Sequence, residues 1–570
     1  FRSIKADYNA TIQPAGKGTI GTLTTDTLTL GFGSRVAFDL KSDITADQIK
    51  AGVLTIETKN WQYGPKYLMP VFEFNTGADA QPANGKYLLG TVGKLTGNLA
   101  NLVIEGLGTE KKAELSLEED KLYLIVESVR EAGYIVWNGN ASNTWDFGAS
   151  ENFTLLADAT ANTEYFVTGD VVTFNETGAK TTVSLKGDLE PDSVIVDGAK
   201  SYTFSGNGAL VGKTTLVKRG TGKLTVNTDN SYTGGTRISG GTVVVTSISN
   251  ANQELGNLGA VNTSASKFVI ENGAELQTSG VITQGSPMNM MTAEGGVINN
   301  AGDFVVNKPI SGTVVTKAGN GWMKLNVNNS VNRMIITAGT VQCVACSTPA
   351  KTVEFQGGQL LENGGSSYAI NVPKGKSGVQ TLVATATFGN KITGEGTLTI
   401  NCPVVEGSGW YATRCQIADD FSQFEGTIKA VATSGKDPDP RWTLNTASGL
   451  AKGTLDIADN TTVQNTGKTF AIGKVTGGGK LGGYASFSNN GGSGANTWKL
   501  GNDANWSWKG IITANSSFTK TGSGKVSLTG AHDYTGATVV EEGELHISGN
   551  TVKLGTGTLT VKKGAIFTVS

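Results

Sequence analysis

Apolar and polar residues alternate along this chain in short bursts, and most bursts start or end at a glycine. Leu224-Thr-Val226, Val526-Ser-Leu528 and Leu545-His-Ile547 each send successive side chains to opposite faces. A period of two is the pattern of a strand with one face inward and one outward. Each burst is about five residues long, too short to bury a face on its own. Stacking one coil on the next removes that problem, because every backbone group then pairs with the coils above and below.

The bursts recur in a fixed order. Leu216–Val245 and Phe518–Ile547 align without a gap, matching Lys218 to Lys520, Gly220 and Gly222 to Gly522 and Gly524, Tyr232 to Tyr534 and Gly241 to Gly543. A worn copy, Val315–Cys343, keeps Lys317, Gly319, Gly321 and Gly339 but lacks the Tyr-Thr-Gly turn and is one residue shorter. The Gly-x-Gly corner also appears at Gly206, Gly394, Gly477 and Gly555, and Phe424–Ile428 is echoed by Trp508–Ile512. Fixed-length self-similarity marks a repeat architecture. The predicted fold is all-β: an elongated, right-handed parallel β-helix, with coils of ~20–25 residues and a length on the order of 100 Å. Two stretches read as helical, Ile44–Ala51 and Thr109–Leu115. The expected division is an N-terminal β region over 1–130, a β-helix with the first copy over 131–250, degenerate coils over 251–480, and a β-helix with the last copy over 481–570.

Composition narrows the partners. Glycine supplies 78 of 570 residues, about twice its usual share of roughly 7%, as a corner-rich fold requires. The formal charge is −2 and no basic stripe exists, which argues against nucleic acid and anionic membranes as partners. No apolar run approaches the ~20 residues that span a bilayer as a helix, so this segment is not expected to insert in a membrane. The chain starts at Phe1 and stops at Ser570 inside an alternating run, so both ends are expected to continue in a longer polypeptide that carries any signal or anchor.

Four cysteines are present: Cys343, Cys346, Cys402 and Cys415. Cys343-x-x-Cys346 lacks the βαβ context of a redox motif, and Cys402 and Cys415 lack the tight spacing of a second zinc pair. Repeat alignment puts Cys343 where Val245 and Ile547 stand, which points it inward, and Cys402 is in phase with inward residues. One or two disulfides, buried thiols and a metal site all remain open.

The pattern Lys-x-Gly-x-Gly-x-Leu-x-Leu, then Asn-x-Tyr-Thr-Gly-Gly-Thr, then Gly-Thr-Leu-x-Val resembles the autotransporter-associated β-strand repeat of Gram-negative passenger regions. Lys218–Val245 resembles it almost throughout, and Lys520–Ile547 departs mainly at Ala537 and Glu544. The lead-in residues Trp137-Asn-Gly, Trp145-Asp and Gly169-Asp-Val-Val-Thr-Phe174 are similar to the family as well. Strong resemblance covers roughly 130–247 and 498–560. It implies a parallel β-helix, secretion and display on the bacterial surface beyond the outer membrane. It implies no single activity, since such passengers include adhesins, proteases, lipases and plain stalk.

The search for chemistry returns little. His532 and His546 are the only histidines, both inside repeat copies, opposite Asn230 and Val244. Gly206–Thr214 has the wrong spacing for a phosphate loop and no following helix. Asp419 and Asp420 adjoin Trp410, Tyr411 and Arg414, a set that could hold a sugar by stacking and bidentate hydrogen bonds. The same residues also read as a polar turn beside core aromatics. Adjacent carboxylates on a strand face opposite ways, which weakens a catalytic pair. The sequence therefore predicts a structural or adhesive passenger without cofactor or catalytic residue, with glycans or cell-surface proteins as partners. A glycan-binding or glycan-cleaving β-helix is the alternative.

Overall fold

The computed structural model describes residues 1–57, 69–77, 82–108, 111–157, 163–247, 256–260, 267–284, 291–362, 367–382, 387–403, 414–433, 441–483, 496–549 and 552–570. It is all-β and about 1% helical, with stacked parallel strands forming a β-solenoid of about 22 turns. The chain folds as two units, Phe1–Thr236 with Glu254–Ala260, and Arg237–Gln253 with Val261–Ser570.

In the first unit, strands Ser3–Ala6, Thr22–Leu30, Gln48–Ile56 and Gly85–Thr96 pair in parallel. Thr11–Ile12, Arg35–Asp39, Val71–Asn75 and Val103–Glu105 form a second parallel face. Lys121–Ser128 then pairs antiparallel with Gly85–Thr96, and Lys111–Glu118 antiparallel with Lys121–Ser128. That hairpin ends the first parallel stack, whose interior holds Leu28, Phe38, Phe72, Phe74, Tyr87 and Leu124. Parallel stacking begins again with Tyr134–Trp137, Val171–Phe174, Ser193–Val196 and Thr215–Lys218. Trp137, Trp145, Phe153, Phe166, Phe174, Tyr202 and Phe204 fill these coils with edge-on and tilted ring contacts.

In the second unit, strands follow the same logic. Thr242–Val245 pairs in parallel with Glu275–Thr278, and Glu544–Ile547 with both Lys525–Leu528 and Ile566–Val569. Parallel register places like on like, so inward Trp506, Val526 and Leu545 form one file up the interior. Trp322–Leu325, Thr340–Cys343 and Gln359–Glu362 make a similar file of Leu325, Cys343 and Glu362.

Both helical expectations fail. Gln48–Ile56 and Lys111–Glu118 are strands. The first pairs on both sides with neighbouring coils and buries Ile49, Ala51, Leu54 and Ile56. The second completes the closing hairpin. Helix-compatible composition was overridden by ladder partners distant in sequence, a common outcome for short segments.

Candidate functional site

The repeat lysine is the centre of the recurring grammar. Lys218, Lys317 and Lys520 are in phase with inward Leu216, Val315 and Phe518, and all three side chains are buried. Lys520 Nζ donates to the carbonyls of Thr521 (2.8 Å), Gly522 (2.7 Å) and Glu542 (2.9 Å). Lys317 Nζ donates to those of Ala318 (2.7 Å), Gly319 (2.7 Å) and Ala338 (3.2 Å). Lys218 Nζ donates to Arg219 and to Gly220 (3.1 Å). An ammonium has three donors and no acceptor, so three converging carbonyls satisfy it fully. In Lys317 and Lys520 two carbonyls come from the corner next door and the third from the following coil. The amine therefore ties successive coils together. Burial pushes Lys218 and Lys317 down to about 8, which keeps them mostly charged at neutral pH.

Glycine at the corner follows from this geometry. Gly339 has φ of 63°, and a Cβ there would stand 2.8 Å from Lys317 Nζ and 2.4 Å from the Gly319 carbonyl. Neither an L side chain nor its bulk fits. In the complete copies the tyrosine is also internal. Tyr232 shares a hydrogen bond with Thr236 at 2.7 Å, and Tyr534 does so with Thr538.

One more inward position carries a polar side chain on several coils, and there it accepts from a backbone N–H of the coil before. Leu210 N–H donates to Asn230 Oδ1 (2.9 Å), Ile310 N–H to Asn329 Oδ1 (2.8 Å), and Ile512 N–H to His532 Nδ1 (3.0 Å). Tyr368 N–H donates to Asn390 Oδ1 (3.2 Å), and Asn390 N–H to Asp419 Oδ1 (2.6 Å). His532 is thus a corner acceptor, neutral because burial pushes it down to about 4. His546 faces outward, with Nδ1 2.7 Å from Thr568 Oγ1.

Of the five carbohydrate candidates, Asp419 and Asp420 are the two whose side chains are described. Asp419 is fully buried and faces inward, while Asp420 lies half-exposed at the next position and caps the Ser422 N–H at 3.0 Å. Burial, opposed by the Asn390 N–H and reinforced by Glu362, lifts Asp419 to about 7. Glu362 itself is buried, accepting from Tyr368 Oη (2.6 Å) and Gln380 Nε2 (2.5 Å). Trp410 and Tyr411 lie outside the described residues, as does the side chain of Arg414, whose backbone begins a strand. Cys343 is a buried thiol and Cys346 a half-buried one. Cys402 is buried too, while the side chain of Cys415 lies outside the described residues. Among the described residues no group of three or more His, Cys, Asp or Glu is placed to hold a metal ion.

The lysine clamp is what sequence reading missed. Its signal was there: a lysine in the inward phase of an alternating strand, three times over, each time two residues before a glycine corner.

The family model described as the passenger-associated-transport-repeat matches residues 216–245 and 518–547. No curated protein and no solved structure matches the chain. Residues 216–245 and 518–547 are thus copies of that repeat, and together with the β-solenoid around them they fit an autotransporter passenger domain.

Proposed function

We propose that this chain is a surface-displayed or secreted passenger of a Gram-negative bacterium, acting as a structural and adhesive stalk. The observation that carries the reading is the lysine clamp. The most recurrent residues of the repeat spend their polar groups on the backbone, so the repeat serves the stack and leaves recognition to outward side chains. Those side chains are Thr, Asn, Lys and Glu in cross-coil pairs, such as Arg237 with Glu271 (2.8 and 2.6 Å) and Lys562 with Glu541 (2.8 Å). Exposed pairs of this kind stabilise by only ~0–1 kcal/mol, and they give a wide polar face suited to glycans or surface proteins.

The test has two arms. Antibodies raised against the chain are expected to label intact source cells or the secreted fraction; labelling that needs permeabilised cells sinks the display reading. A glycan panel and a panel of cell-surface proteins, probed with the purified chain, are expected to show retention without product. Turnover of an acidic polysaccharide would replace the stalk with an enzyme.

A further inference from the structure

We propose that Cys343 and Cys346 are a redox-active thiol pair that closes to a disulfide with a small-molecule disulfide as oxidant. Geometry selects this pairing from the four cysteines. Cys343 ends the strand Thr340–Cys343, with Leu325 and Glu362 as its ladder neighbours. The next two amides, Val344 and Ala345, both donate to the Leu325 carbonyl (3.0 and 3.3 Å), which turns the chain back on itself. Ser347 and Thr348 N–H then both donate to Asn328 Oδ1 (2.8 and 3.1 Å). Cys346 is thereby held between two anchors on the preceding coil, three residues from Cys343 across the bend at Val344 and Ala345, where its thiol and burial together push the Cys343 thiol up.

The alternatives do not reach. Glu362 lies beside Cys343, Leu382 beside Glu362, and Asn401 beside Thr381, so Cys402 stands three strands along the same sheet. Three strand spacings are about 14 Å, twice the ~7 Å limit between bridged Cα atoms. Cys415 is on a strand of a different sheet, paired with Arg441–Leu444.

The two thiols also differ in access. Cys343 is buried and Cys346 is half-buried, so Cys346 meets the oxidant. The Cys346 thiolate attacks one sulfur of the small-molecule disulfide and releases one thiolate. The released thiolate takes the proton of Cys343, and Cys343 attacks the Cys346 sulfur of the mixed disulfide, forming the Cys343–Cys346 bond and expelling the second thiolate, which is protonated by solvent. Two protein thiols are oxidised and one disulfide is reduced to two thiols.

The experiment uses the full 570-residue chain, reduced and then equilibrated with excess oxidised glutathione. Denaturation, alkylation and peptide mapping follow. The expected result is a loss of ~2 Da confined to the peptide carrying Cys343 and Cys346, with both lost as alkylation sites and restored by dithiothreitol. Cys402→Ser is expected to keep that loss. Cys346→Ser is expected to abolish it while Cys343 resists alkylation in the native protein. Full alkylation of both residues after equilibration overturns the proposal. So does a bridge to Cys402 or Cys415, or a stable glutathione adduct on Cys346 beside a free Cys343.

Discussion

The coils around Lys520 and those around Lys317 solve one problem with different amounts of the repeat. The last copy has the lysine, the three glycines, the tyrosine turn and an imidazole at the corner. The worn copy has the lysine and the glycines alone, with Asn329 in place of His532. Yet both lysines reach three carbonyls, two in the adjoining corner and one in the next coil. The family model matches only the complete copies. What these two sets of coils share is therefore smaller than the motif: one inward cation where carbonyls converge, glycines that let them converge, and one acceptor facing a corner N–H. The tyrosine turn is an addition.

The largest effect should come from the clamp. Lys520→Met leaves three buried carbonyls without a donor and is expected to cost about 3–5 kcal/mol locally. Hydrogen exchange across strands Lys525–Leu528 and Glu544–Ile547 reads it directly, since solenoids open coil by coil. Lys317→Met should cost as much in its own coils. A cost under half that size would show that the worn copy has lost the energetics along with the sequence.

Next comes the corner acceptor. Burial holds His532 at about 4, below its ordinary 6.5. An unfolded coil binds that proton first, so local stability is complete above about pH 6.5 and falls as pH drops towards 4. The expected loss is on the order of 2–3 kcal/mol. His532→Asn, which copies Asn230, should flatten this dependence while keeping the Ile512 N–H satisfied. If exchange in the wild-type chain is equally slow at pH 4.5 and pH 7, the imidazole is not the corner acceptor in solution.

The smallest effect belongs to the tyrosine turn. Tyr534→Phe removes one buried hydrogen bond to Thr538 and should cost about 1 kcal/mol. Tyr232→Phe should match it, and a cost near that of Lys520→Met would promote the turn from addition to requirement.

Much of this was readable from the residues. Strand, coil and corner are local properties: period-two alternation and glycine spacing marked the solenoid, and phase alone sent Cys343 and Cys402 inward, as found. The opposed facing of Asp419 and Asp420 follows from the same alternation. Where local composition was the guide, it misled. Ile44–Ala51 and Thr109–Leu115 read as helix, but ladder partners on other coils made strands of Gln48–Ile56 and Lys111–Glu118.

By itself, then, the sequence determined that this chain is a stack of short β coils and which side chains enter it. Tertiary structure alone decided what the polar ones do inside. Lys520, Asp419 and His532 each find backbone partners on a neighbouring coil, 20 to 29 residues away. Alternation sets the direction of a side chain; the atoms waiting there come from stacking.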